Sequence, residues 1–138
     1  MSQAVTSTQQ SLDQRRAKHA WEAVQNIVKD RDKAKKYGQQ AKKLPMRIMA
    51  SGLGQALVFL HAKKYAPELL RDLGDWVLHK KDGPDQGKPK DTGKEDAALI
   101  KAILKYDSPK LRMVTDEVLA YLQWLNRFAE AEGLTKED

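Results

Sequence analysis

The chain of 138 residues contains no cysteine, so disulfide staples and thiolate metal sites are excluded and a reducing compartment suits it. Long apolar runs are missing too: no window approaches the roughly 18 to 20 residues that a helical membrane span needs. The opening MSQAVTSTQQSLDQRR has no apolar stretch of the kind a secretory signal carries. These absences predict a soluble, cytoplasmic protein that has no membrane as a partner. Aromatic residues make up only 7% of the chain, and Trp21, Trp76 and Trp124 fall on or beside apolar helix faces. They read as core residues and not as platforms for stacked bases. No segment alternates apolar and polar residues at the two-residue period of a strand.

What the chain has in excess is positive charge, distributed unevenly. Its net charge is +6. Residues 1–70 hold 13 Lys and Arg against 5 Asp and Glu, whereas residues 71–138 hold 12 against 14. A basic half joined to a mildly acidic one fits a polyanionic partner, or copies stacked head to tail. A lysine-rich solvated surface explains the same numbers without any partner.

Apolar residues recur at three- and four-residue steps almost throughout, which predicts helices. Ala17, Trp21, Val24 and Val28 form the first stripe, with Ala20 and Ile27 beside it. The almost entirely polar segment KAKKYGQQAKK is a second helical segment, expected to end near Leu44, because Pro45 disfavours the α region in the residue before it. Pro45 then opens the next helix, with Met46, Met49, Leu53, Leu57 and Leu60 as its core face, widened by Ala50, Ala56 and Phe59. Arg47, Ser51 and Gln55 share a polar line on that helix. Gly52 and Gly54, costly inside a helix, are expected to permit close approach of a neighbouring helix or subunit. After Pro67, Leu69, Leu70, Leu73, Trp76 and Val77 form another buried face. Residues 80–94 (KKDGPDQGKPKDTGK) read as a long mobile loop, and residues 1–10 as a flexible terminus.

Thr92 and Glu95 have capping-box spacing ahead of Leu99, Ile100, Ile103 and Leu104. Ser108 is the expected N-cap of a last helix, with Pro109 following it. That helix buries Leu111, Val114, Val118, Tyr121, Leu122, Leu125 and Ala129, and Gly133 stops it. The fold class predicted is all-α: one compact bundle, residues 1–138, of about five to seven helices.

Reaction chemistry is poorly represented. His19, His61 and His79 lie in different helices with no neighbour at metal-ligand spacing. GLGQA at residues 52–56 lacks the third glycine and the preceding strand of a dinucleotide fingerprint. GPDQGK at residues 83–88 fails the Walker spacing, and Ser51 is not in a G-x-S-x-G context. The pairs Asp72/Asp75 and Asp116/Glu117 read as solvated surface charges with local ion pairs. The expectation is a non-enzymatic protein with no metal, no cofactor and no small-molecule substrate.

What remains are basic side chains with polar companions. Arg15, Arg16, Lys18, Lys42, Lys43, Arg47, Lys63 and Lys64 are the candidate nucleic-acid contacts, able to converge on one side of a bundle. They would neutralise phosphates without reading bases, and Ser51 and Gln55 add hydrogen-bonding groups for phosphate or a 2′-hydroxyl.

The segment YGQQAKKLPMRIMASGLGQALVFLHAK (Tyr37–Lys63) resembles the signature of the small subunit of type III-B, Cmr-type CRISPR effector complexes, which target RNA. TDEVLAYLQWLNRFAEAEG (Thr115–Gly133) is similar to the closing helix of that family, and RAKHAWEAV (Arg16–Val24) to its first. The three stretches span 55 of 138 residues, and the central one is the most specific. The resemblance implies an all-helical, non-catalytic subunit that stacks in several copies along the effector, beside the other subunits and the guide RNA, and contacts the target RNA. It carries the binding role onto Arg16, Lys18, Lys42, Lys43 and Arg47. Lys63 stands at the end of the matched motif, and Arg15 and Lys64 just outside it. A scaffold whose basic face meets neighbouring subunits and no RNA is the alternative.

Overall fold

A computed structural model describes residues 10–78 and 95–136. Within them the chain forms six helices and no strand: α1 (Leu12–Ile27), α2 (Arg31–Ser51), α3 (Leu53–Lys63), α4 (Pro67–Leu78), α5 (Ala98–Ile103) and α6 (Ser108–Ala131). This is the all-α class the periodicity predicts. His79, Thr92, the loop at 80–94 and nearly all of the terminus 1–10 lie outside the described residues.

Each helix begins and ends for a local chemical reason. Ser11 and Gln14 form a reciprocal capping box at the start of α1, and the Asp30 side chain caps α2 by accepting from the Lys33 amide. At the start of α6 the cap is Asp107, whose carboxylate accepts from the Lys110 amide at 2.9 Å. Ser108 therefore lies inside the helix, one place after the expected position. Beyond Ala131 the amide of Leu134 donates to Ala129 O and that of Gly133 to Glu130 O. Gly133 has a φ of 75°, so the stop is a Schellman turn.

The turn at Gly133 drives Leu134, fully buried, against α2. The residue it meets there is Gly38, where an added Cβ would collide with the backbone of Leu134. Gly38 is thus the close-approach glycine of this fold. Gly52 and Gly54 are not, within this chain: nothing lies within 4 Å of a Cβ at Gly52, and Gly54 has only an ordinary contact with Ile103. Gly52 serves conformation instead. Its φ of 87° and ψ of 160° separate α2 from α3, in a region open essentially to glycine alone.

Helix α2 does not end at Leu44; it runs on through Pro45 to Ser51. Proline leaves the carbonyl four residues back without a donor. That carbonyl belongs to Ala41, and the side-chain amide of Asn126 on α6 donates to it at 2.9 Å. The interior proline is accommodated by a partner 85 positions away from the carbonyl it orphans.

The core collects Ala20, Val24 and Ile27 of α1, Tyr37, Leu44 and Ile48 of α2, Leu53, Leu57 and Leu60 of α3, Leu69, Leu70, Leu73, Trp76 and Val77 of α4, Leu99, Ile100 and Ile103 of α5, and Val114 to Leu125 at helical intervals on α6. Helix α6 packs on α1, α2 and α4, while α3 packs on α2, α4 and α5. Several expected core residues face outward. Met46 and Met49 are 77% and 78% exposed, and Leu104 is 77% exposed. Trp21, Phe59 and Leu111 are partly exposed too, and Ala50 is exposed. A core stripe drawn across residues 46–60 assumes one continuous helix, and Gly52 breaks its phase.

Candidate nucleic-acid interface

The eight candidate cations do not gather in one patch. On α1, Arg16 turns inward and forms a two-pronged pair with Glu117 of α6, at 2.5 and 2.7 Å, with Asp13 as a further partner at 3.0 Å. Glu117, 6% exposed, also accepts the indole N–H of Trp76 at 3.0 Å. The Glu117 bond holds the Arg16 guanidinium above its ordinary pKa, against the opposing effect of burial. This charge is neutralised inside the fold, where it locks α1 to α6 and α4. Arg15 and Lys18 line a small depression with Gln10, His19, Glu22 and Trp76, and the Arg15 Nε is buried with no partner.

A second group of polar residues thought to be solvated is also structural. The Tyr37 hydroxyl donates to Asp72 at 2.6 Å, and His19 Nε2 lies 2.8 Å from Asp75. The other nitrogen of His19 meets the Tyr121 hydroxyl at 2.6 Å, and the Tyr121 ring stacks on Trp76 at 5.7 Å. Because a carboxylate only accepts, the neutral arrangement has His19 donating from Nε2 and Tyr121 donating to Nδ1. Burial pushes the Asp72 carboxyl up to about 6, although the Tyr37 hydrogen bond and the nearby His19 pull it down. Asp72 and Asp75 are therefore parts of a network tying α4 to α1, α2 and α6. They fall beside the surface the helical wheel gives them because their acceptors reach sideways to buried donors.

On α2 and α3 the cations point the other way. Lys42, Lys43, Lys63 and Lys64 are exposed. Arg47 donates to Gln40 Oε1 at 2.7 Å, and its guanidinium lies 4.8 Å from the centre of the Phe59 ring. Lys63 Nζ stands 5.6 Å from the same ring. Arg47, Ser51, Gln55 and Phe59 line one shallow depression of about 280 Å³. No carboxylate among the described residues lies within ion-pair reach of Arg47 or Lys63. Lys42 belongs to a different concavity, of about 530 Å³, between α2 and α6 with Pro45, Met49, Leu119, Asn126 and Arg127. Lys64 ends α3 in the left-handed conformation, φ 56°.

Sequence reasoning missed Phe59, which it placed in the core. The signal was present: residues 47, 51, 55, 59 and 63 recur every fourth position as Arg, Ser, Gln, Phe and Lys. The polar line simply continues for two more steps. Among the described residues no three His, Asp or Glu side chains are grouped as a metal site, and no helix is long and apolar enough to cross a membrane.

Among the described residues the protein is thus a small helical domain with one arginine locked internally and Arg47, Phe59 and Lys63 gathered on one strip. The chain matches the family model for CRISPR-associated protein (Cas_Cmr5) over residues 12–132, and it belongs to that family. Its fold is similar to the crystal structure of a CRISPR-associated Cmr5 family protein from Thermus thermophilus, with a TM-score of 0.70 and 27% identity. The match covers 88% of this chain and 97% of the other. Membership implies partnership with the other subunits of a CRISPR effector complex.

Proposed function

We propose that this chain is a non-catalytic small subunit of a type III-B CRISPR interference complex, stacked in several copies along the effector and touching the guide and target RNA backbone through its α2–α3 cations. The observation that supports RNA contact is the half-buried Arg47 beside the exposed Lys63, both at the Phe59 ring and without a carboxylate in ion-pair reach among the described residues. Phosphate is the ligand such cations suit, and its binding releases counterions. Lys42, Lys43 and Lys64, exposed on the same two helices, extend the surface. Arg15 and Lys18 form a separate, smaller contact on α1, and Arg16 supports the fold beneath them.

Titration of the purified chain with single-stranded RNA at several salt concentrations tests this reading. Each phosphate neutralised contributes about 0.7 to the slope of log K against log salt, so Arg47→Ala should lower both affinity and slope by about one contact. A slope near zero for the wild type would remove the electrostatic model.

A scaffolding role without RNA contact is favoured by one separate observation. Met46 and Met49 are more than three-quarters exposed, and Met49 lines the α2–α6 concavity with Pro45 and Leu119. Exposed methionine is suited to adaptable protein contacts.

A further inference from the structure

The proposed RNA contact involves cations and backbone phosphates, a role in which any surface lysine would serve. The residues around Phe59 can do more than that. Phe59 is 41% exposed and borders the shallow depression on α3. Its neighbours are a planar guanidinium 4.8 Å from its centre and an ammonium 5.6 Å away. Arg47 is held in register by its hydrogen bond to Gln40, itself only 7% exposed. Ser51 and Gln55, one and two helical steps along the same strip, border the depression beside the ring.

We infer that Phe59, with Arg47 laid over it, is a base-stacking platform for one unpaired nucleotide of single-stranded RNA, with Arg47 and Lys63 taking the phosphates on either side of that nucleotide. The inference rests on the RNA-binding reading above and gives it a defined subsite. A phenyl ring carries no hydrogen-bonding group, so the platform accepts any base, and stacking on it is sequence-tolerant. A paired base has both faces occupied by its neighbours in the duplex, so the platform discriminates against double-stranded RNA. Ser51 Oγ and the Gln55 carboxamide are the groups beside the platform able to meet a base edge or a 2′-hydroxyl. Arginine suits this place better than lysine, because its plane both stacks and binds phosphate.

The full-length chain should be titrated with a single-stranded RNA dodecamer carrying one 2-aminopurine, and with the same RNA made duplex. Wild-type protein is expected to change the 2-aminopurine fluorescence on binding and to prefer the single strand. Phe59→Leu keeps an apolar side chain at a half-exposed position, and circular dichroism verifies that it folds. It should lose the fluorescence change and weaken single-strand binding by about tenfold, while the salt slope stays as in the wild type because the phosphate contacts remain. Phe59→Tyr should behave as wild type, and Arg47→Lys should keep the salt slope but reduce the fluorescence change.

Salt-dependent binding that neither alters 2-aminopurine emission nor responds to Phe59→Leu overturns the platform and leaves the phosphate reading standing. Absence of salt-dependent binding by the wild type overturns both. Should Phe59→Leu spare RNA affinity but abolish copurification with other effector subunits, the ring faces a protein and the platform is again wrong.

Discussion

Asp72 is set between opposing influences. Burial pushes its carboxyl up to about 6, and the Tyr37 hydroxyl and His19 act against that shift. Asp75 and Glu68 face it as well and reinforce the rise. Because the folded value exceeds the unfolded one, near 3.9, the folded state holds a proton more tightly. The contribution of Asp72 to stability is therefore greatest in acid and declines as pH rises from about 4 to about 6, by roughly 2 to 3 kcal/mol in all. Asp72→Asn keeps an acceptor for Tyr37 and removes the titration. Urea unfolding at pH 4, 5, 6 and 7 should show the variant gaining on the wild type as pH rises through that window. A constant difference across the window would mean that burial does not control this carboxyl. Arg16 makes a second test at this scale. Its partner Glu117 is almost fully buried, and removing one member of such a pair typically costs about 3 to 5 kcal/mol. Arg16→Ala should fall at the low end of that range, since Trp76 still donates to Glu117. Its RNA salt slope should be unaltered if the residue acts only through the fold.

At the scale of the element, the join of α2 and α3 separates what could be read in advance from what could not. Periodicity identified the helices and most of the core, because three- and four-residue spacing follows directly from helical geometry. It misplaced the break. Pro45 offers the stronger local signal for a helix end, yet the helix continues because Asn126, distant in sequence, donates to the orphaned Ala41 carbonyl. No local rule contains that information. The actual break at Gly52 rests on a backbone conformation that the sequence marks only with a glycine, and a glycine has several uses. Met46 and Met49 fall off the buried stripe of α2, which runs through Ala41, Leu44 and Ile48, and Phe59 lies on the polar strip with Arg47, Ser51 and Gln55. The candidate site was accordingly half legible: Arg47, Ser51 and Gln55 share a line in the sequence, whereas the inward turn of Arg16 depends on Glu117 a hundred residues later. If Asn126 is what lets the helix tolerate Pro45, the two positions must be coupled. Asn126→Ala should cost about 1 kcal/mol, and much less in a Pro45→Ala background, where a peptide N–H can bond Ala41 instead. Additive costs in that double-mutant cycle would sever the link. Gly52→Ala should cost about 2 kcal/mol from backbone strain alone, measured by the same unfolding assay, with no steric clash to relieve.

For the whole molecule, the charges differ by element and do not follow the division between residues 1–70 and 71–138, since Glu68 and Arg71 stand side by side on one concavity. Lys42, Lys43, Lys63 and Lys64 at α2 and α3 face solvent, while Glu68, Asp72 and Asp75 of α4, with Arg71 among them, border a concavity against α1 of about 340 Å³. Surface lysines of this kind permit both roles in the proposed function, since they can meet RNA phosphates or the carboxylates of a neighbouring subunit. Charge reversal at Lys42, Lys43 and Arg47 to Glu distinguishes the two. All three side chains lie outside the core, so the fold should survive, with circular dichroism and the unfolding midpoint close to wild type. If the cations serve RNA, the reversed protein should still copurify with the other effector subunits, while single-stranded RNA affinity falls by at least a hundredfold at low salt and the gap narrows as salt rises. If they serve assembly, copurification is lost and the RNA affinity of the isolated chain changes little. Carrying both measurements on one variant matters because each surface term is screened by salt in the same way. Only the identity of the lost partner, and not the salt dependence of the loss, tells a phosphate from a carboxylate.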